Sequence, residues 1–265
     1  MPPFLRSVEY RAPERTDAFP FSLPILASLE ELDLDAPVTL LAGENGSGKS
    51  TLLEAMAVAC NAVAIGAHDL RRDPTLEPAR QLAERLRTIR RKAPRRAMFF
   101  RAEDAFGFTQ RLQREVDELE ELEGHFRESL LDGSWGQRLA MGSARGQQSA
   151  LTHRYGEDPD ARSHGESFLH LLEERLTPGG LYLLDEPETP LSPLRQLALL
   201  KLVRDCTEEG SQFIIASHSP VLLAFPEAHL YWLDEDVQRV EWDELEHVQI
   251  LRSFLQRPDS YLRRL

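Results

Sequence analysis

Gly43-Glu44-Asn45-Gly46-Ser47-Gly48-Lys49-Ser50-Thr51 is the stretch on which the reading of this chain turns. It matches G-x-x-x-x-G-K-[ST], in which glycines let successive backbone N–H groups turn toward phosphate oxygens and the lysine reaches the β- and γ-phosphates. The flanks decide whether such a match has meaning. Before it, Pro37 to Ala42 is a short apolar, partly β-branched run that reads as a buried strand. After it, Ser50 to Ala64 carries Leu52, Leu53, Met56, Ala57 and Cys60 at helical spacing with no breaker. Strand, glycine loop and helix in that order set a helix N-terminus, with its positive potential, behind the phosphates. The nine residues from Gly43 to Thr51 are therefore expected to hold a nucleotide, with the Ser50 hydroxyl on Mg²⁺.

Two other apolar runs end in groups suited to the same chemistry. Leu181 to Leu184 leads directly into Asp185 and Glu186. A strand of that kind puts its acids at the carboxyl edge of a parallel sheet, where open α/β folds bind ligands. Asp185 can hold Mg²⁺ there through water. Glu186 can orient and polarise an attacking water, a role that suits hydrolysis better than transfer to a substrate hydroxyl. Gln212 to Ala216 is a second such strand, followed by Ser217, His218 and Ser219, so His218 can sense the γ-phosphate from the same edge. Lys49, Glu186 and His218 are the candidate catalytic groups. A solvated acidic turn before Pro187 and a purely structural histidine are the plainer readings against which they stand.

The remaining composition bounds the setting. A chain of 265 residues, 42% hydrophobic and 28% charged, is long enough for one large α/β domain. Its apolar runs fall well short of the roughly 20 residues that span a bilayer. Met1 to Arg11 has no apolar h-region, and the two cysteines, Cys60 and Cys206, form no C-x-x-C pair. A soluble protein of a reducing cytoplasm is expected. The net charge of -13 opposes uniform adhesion to nucleic acid or anionic membrane. Yet eleven basic residues against three acidic ones lie between Arg71 and Arg101, either a surface for a phosphate backbone or a solvated helix face.

Along the chain, the spacing predicts an amphipathic helix over Glu77 to Lys92, a strand over Met98 to Arg101 and an exposed helix over Thr109 to Leu131. Asp132 to Gly165 reads as loops. Helices follow over Glu166 to Leu176 and Leu194 to Cys206, then a hairpin of Leu230 to Leu233 with Val237 to Trp242, and a last helix over Glu244 to Leu255. Strands alternating with helices imply an α/β fold with a mainly parallel sheet.

Together these residues resemble the ABC class of P-loop ATPases, with Walker A at Gly43 to Ser50, Walker B at Leu181 to Glu186 and a switch histidine at His218. The wording Gly43 to Glu54 and Asp185-Glu186-Pro187-Glu188 is most similar to the soluble RecF and chromosome-maintenance side of that class, including small predicted AAA-family ATPases. The resemblance implies one ATPase domain over 1–265, with a helical and loop insert over about 66–165. It also implies a signature loop at Ser163-His164-Gly165-Glu166-Ser167, whose Ser163 and Gly165 reach the nucleotide of a second subunit. This departs from the usual Leu-Ser-Gly-Gly-Gln. For the glutamine that normally touches Mg²⁺ the nearest matches are Glu103, then Gln110. Pro190-Leu191-Ser192-Pro193 resembles the loop that meets the other subunit, and Phe19 and Phe21 are candidates to stack on adenine.

The function that follows is ATP binding and hydrolysis, with Mg²⁺, by an ATP-dependent homodimer coupled to DNA or to a protein partner. A nucleotide-binding subunit of an ABC membrane transporter and a non-hydrolysing ATP-gated scaffold are the alternatives. The altered signature and the missing glutamine weigh against the first, and Glu186 against the second. A small-molecule kinase is disfavoured by Glu186 as well.

Overall fold

The structure is a computed structural model that describes residues 3–14, 17–64, 70, 73–101, 121, 125, 134 and 164–263. A seven-stranded sheet carries the fold. Its central strands are β3 (Val38–Gly43), β6 (Arg96–Arg101), β7 (Gly180–Asp185) and β8 (Gln212–Ala216). Both β3 and β7 are buried at every position, as strands covered on both faces must be, which is why each reads as a continuous apolar run. Successive side chains still alternate. Leu41, Leu181, Leu183 and Ile214 pack into the core on one face, and Leu40, Tyr182, Leu184 and Ile215 into the core on the other.

The strand order is β10-β9-β3-β8-β7-β6-β4, where β4 is Val63–Ala64, β9 His229–Leu233 and β10 Val237–Arg239. All pairings are parallel except the β9–β10 hairpin. Helix α2 (Lys49–Ala59) lies against the first face, together with the short helices α1 (Ile25–Ser28) and α3 (Glu77–Ala83). Helices α4 (His164–Arg175) and α5 (Pro193–Glu208) cover the second, with Phe168, Leu171, Leu199 and Val203 in its core. Helices α6 (Glu246–Gln256) and α7 (Pro258–Leu262) close the described chain. Because β3, β7 and β8 run parallel and in register, their carboxyl ends meet at one edge. This is the α/β, mainly parallel architecture that the alternating pattern implies.

A second sheet is the main departure from expectation. Strands β1 (Leu5–Tyr10), β2 (Glu31–Asp33) and β5 (Leu86–Arg90) form an antiparallel sheet in the order β2-β1-β5. The predicted helix over Glu77 to Lys92 is thus a helix only to Ala83, after which the chain extends along β1. Tertiary pairing overrides helical propensity here: Leu86, Thr88 and Ile89 sit opposite Tyr10, Val8 and Ser7, and a cross-strand Glu9 faces Arg87. The expected insert is accordingly not helix and loop throughout, since residues 86–90 and 96–101 belong to the two sheets. Helix α2 also stops earlier than Ala64, giving way to β4. The helix expected over Thr109 to Leu131 lies almost wholly outside the described residues.

Gln212 joins the sheets. Its buried side-chain amide donates to Leu5 O at 2.9 Å and Leu34 O at 2.8 Å, while its Oε1 accepts from Leu5 N at 2.8 Å. A buried amide satisfied on both sides links β8 to β1 without an unpaired polar group.

Candidate functional site

The phosphate loop leaves β3 at Gly43, whose φ of 152° and closeness to Leu233 exclude a side chain: a Cβ there would come within 2.1 Å of Leu233 O. Gly48 caps α2 in the left-handed region at φ 100°, with Leu23 and Ile25 about it. Lys49, buried, donates to Gly43 O at 2.9 Å and Glu44 O at 2.8 Å, so its ammonium closes over the loop that a phosphate would enter. Burial lowers its pKa, and the carboxylates of Glu186, Asp185, Glu44 and Glu188 oppose that shift.

Ser50 and Asp185 come from distant parts of the chain, and the Ser50 hydroxyl donates to Asp185 Oδ1 at 3.0 Å. Burial pushes the Asp185 carboxyl up to about 7; the Ser50 bond pulls it down, Glu54 and Glu186 push it up, and Arg101 pulls it down. A hydroxyl and a crowded carboxylate, both hard oxygen donors with few protein partners, fit Mg²⁺ beside a nucleotide. Residue Arg101, in register with Asp185 at the end of β6, pairs with Glu54 at 2.5 Å and shields this corner. The spacing predicts the strand that ends at Arg101 but not this inward pairing of its side chain.

Glu186 follows at φ 46°, a left-handed conformation uncommon for a residue with a side chain, fixed by Glu186 N donating to Ala216 O at 2.9 Å. His218 Nε2 stands 3.7 Å from Glu186 Oε1 and makes no hydrogen bond. Burial and the Lys49 ammonium hold this imidazole below its ordinary pKa, so it is neutral near pH 7. Five of the expected residues, Lys49, Ser50, Asp185, Glu186 and His218, thus converge on one sheet edge.

Glu188, just after Pro187, is a sixth member. Its Oε1 accepts from Ser217 Oγ at 2.8 Å, His218 N at 2.7 Å and Ser219 N at 3.1 Å. Nothing in the spacing of the sequence announces these contacts, which span about thirty positions. His247 of α6 also adjoins the site. It stacks on Trp232, with ring centroids 6.0 Å apart, and burial lowers its pKa while Glu44 raises it.

Other expectations fare unevenly. Phe19 is exposed and Phe21 packs against the core, in the segment that borders Gly48 through Leu23 and Ile25. Gly165 falls in the first turn of α4. Ser163, Glu103 and Gln110 lie outside the described residues. Among the described part of the basic stretch most charges have partners within the chain. Arg80 donates to Leu70 O, Asp73 O and Glu77; Arg87 pairs with Glu9, Arg91 with Asp35 and Arg101 with Glu54. Arg90 donates to Ala59 O, and Lys92 lies over the Phe4 ring. No described helix is long and apolar enough to cross a membrane.

Two family models match the chain. One, described as "AAA domain", covers residues 23–124 and contains the phosphate loop. The other, described as "AAA domain, putative AbiEii toxin, Type IV TA system", covers residues 167–224 and contains Asp185, Glu186 and His218. Among solved structures the chain is similar to an Smc head domain from Pyrococcus furiosus, at 12% identity and a TM-score of 0.47, over 96% of this chain and all of that one. It is also similar to a nucleotide-free ATP-binding cassette of an ABC transporter, at 17% identity and a TM-score of 0.46, over 94% of this chain and 96% of the other. The SMC head domain from Thermotoga maritima matches at 15% identity and a TM-score of 0.39, over 90% and 99%. No curated protein matches. The AAA-domain matches agree with the P-loop ATPase that the motifs resemble.

Proposed function

We propose that this protein hydrolyses ATP as a nucleotide-sandwich dimer, each copy one ATPase domain over 1–265, and that the cycle serves a nucleic-acid or protein partner. The observation that carries the reading is the convergence of Ser50 and Asp185 at 3.0 Å with Glu186 and His218 at one sheet edge, directly above the phosphate loop. Such an edge, fed by a glycine loop and a helix N-terminus, suits a polyphosphate.

The residues divide the work as follows. Lys49 exchanges its two carbonyl contacts for the β- and γ-phosphates. Ser50 and Asp185 would hold Mg²⁺, which would supply positive charge beside the phosphates. Glu186 accepts a proton from, and aligns, the attacking water. His218, neutral and with Nε2 unpartnered, offers a hydrogen bond to the γ-phosphate. Preorganised groups of this kind stabilise transition-state charge with little rearrangement.

The dimer draws support from the chain as well as from the resemblance. Ser163 and Gly165 would complete the partner's nucleotide site. Leu194 and Leu197, exposed at the start of α5 beside Pro190 to Pro193, put apolar surface next to the same edge. In a Glu186→Gln background, light scattering should report monomer without nucleotide and dimer with Mg-ATP, because ATP binds the dimer more tightly and shifts the equilibrium by mass action. Adding Ser163→Arg should abolish the dimer while sparing ATP binding. A chain that stays monomeric at saturating ATP, yet hydrolyses it at a rate per molecule independent of protein concentration, would remove the shared-site mechanism.

A further inference from the structure

Glu188 is the group at the sheet edge to which the hydrolytic reading gives no task. It sits on the turn after β7, where Thr189 N donates to Glu186 O and Leu191 N donates to Glu188 O. Its side chain crosses to the turn after β8. One oxygen, Oε1, takes all three donors there: the Ser217 hydroxyl, the His218 amide and the Ser219 amide. The other, Oε2, is buried without a hydrogen bond. A second strut runs beside the first. Ser219 Oγ donates to Gln196 Oε1 at 2.6 Å, and Gln196 Nε2 donates to Leu191 O at 3.1 Å.

These contacts bear on the geometry of Glu186 and His218, which stand on the same two turns with their tips 3.7 Å apart. Glu188 grips the backbone of His218 itself, not a neighbouring helix. Removing the carboxylate would leave the Ser217 hydroxyl and the His218 amide without their acceptor, with Ser219 N keeping only its bond to Ser217 Oγ at 3.0 Å, and the turn would rearrange to satisfy them. The imidazole would move with its amide. Only an acceptor of this reach meets the need. An apolar side chain has no lone pair, whereas glutamine keeps Oε1 and offers its amine only where Oε2 now lies unpartnered.

We propose that Glu188 is a positioning residue that latches the turn after β7 to the turn after β8, fixing His218 against Glu186 so that the two act as a unit on one phosphate. This rests on the ATPase reading of the site. Glu188 touches no reacting atom; it acts through the His218 backbone.

The test uses the full chain and three readouts: steady-state turnover, affinity for a fluorescent ATP analogue with Mg²⁺, and melting temperature. Glu188→Ala should lower kcat by roughly 10- to 100-fold, the usual cost of losing a supporting contact, and leave KM and affinity within about threefold. Glu188→Gln, which keeps Oε1, should recover most of that loss. In a His218→Ala background Glu188→Ala should cost little more, since the group through which it works is gone. Equal losses for Ala and Gln, or an undiminished loss in the His218→Ala background, would overturn the latch. If Glu188→Ala does not fold, Glu188→Asp takes its place: it keeps the charge but falls one methylene short, and wild-type turnover would then overturn the proposal. A wild-type chain without turnover removes the ATPase reading and the latch with it, whereas wild-type turnover unaffected by Glu188→Ala removes the latch alone.

Discussion

The carboxyl edge of the seven-stranded sheet and the small antiparallel sheet both gather charged side chains, and they use them in opposite ways. At the edge, Lys49, Asp185, Glu186, Glu188 and His218 are brought from distant positions into partial burial. Their pairings are incomplete: His218 Nε2 and Glu188 Oε2 have no hydrogen bond, and Asp185 is forced up to about 7 chiefly by its burial. Along β1 and β5, and on the loops that flank them, charges are more numerous but mostly matched at the surface, as in Glu9 with Arg87 and Asp35 with Arg91. Unmatched, half-buried charge marks a place where a ligand supplies the missing partner. Matched, exposed charge supports solubility and adds little energy.

The largest test of this contrast removes the cation at the edge. Lys49→Ala should weaken ATP binding by about 100-fold or more, measured by equilibrium titration, because charge-assisted contacts to two phosphates are lost. Affinity equal to wild type would mean that the edge is not a nucleotide site. Next in size, Glu186→Gln should bind ATP within a few-fold of wild type but turn it over at least about 10²-fold more slowly. Turnover close to wild type would hand the water-orienting task to another group.

Asp185 sharpens the comparison through pH. Its folded pKa, about 7, stands above the ordinary carboxylate value of 3.8, so its contribution to stability is present in full below about pH 4 and is lost as pH rises through 7. Asp185→Asn lacks that ionisation. It should therefore melt higher than wild type at pH 8, by about 2–4 °C for each kcal/mol relieved, and gain little at pH 5. Metal binding shows the converse sign: Mg²⁺ needs the carboxylate, so Mg²⁺ affinity of the wild type should rise up to about tenfold from pH 6 to pH 8. A flat melting difference across that range would show Asp185 ionised throughout. The smallest effect belongs to the other sheet. Charge reversal of Arg90, Arg91 and Arg95 should leave ATP turnover within about twofold and cost on the order of 1 kcal/mol for the lost Arg91–Asp35 pair. Salt-sensitive retention on DNA that vanishes in this variant would break the contrast and restore the basic stretch as a binding face.

What the sequence disclosed followed the same division. The phosphate loop and both acid-tipped strands were legible because their signals are local: glycines, an apolar run, a charged end. Their convergence was legible because parallel strands share one carboxyl edge. The antiparallel sheet was not, since no glycine or proline separates Leu86 to Arg90 from the helix before it, and the β-branched Thr88 and Ile89 show their preference only where β1 lies beside them. Neither was Glu188, whose three donors belong to a turn that the linear order keeps far away. The pairing of Arg101 was hidden for a related reason. Ten arginines and a lysine between positions 71 and 101 look like one surface, but the last of them turns inward to Glu54.

Gln212 shows how narrow the choice at a single joint can be. Its amine faces the carbonyls of Leu5 and Leu34, and its oxygen faces the amide of Leu5. Glutamate would present an oxygen where donors are required, leucine would strand backbone groups from two segments, and asparagine would fall short of them. The position has in effect a vocabulary of one letter. Because that letter spells the junction between β8, which delivers His218, and the strand that opens the described chain, neither sheet can be redrawn by small changes without the other. This amide tethers the small sheet to the chemistry it borders.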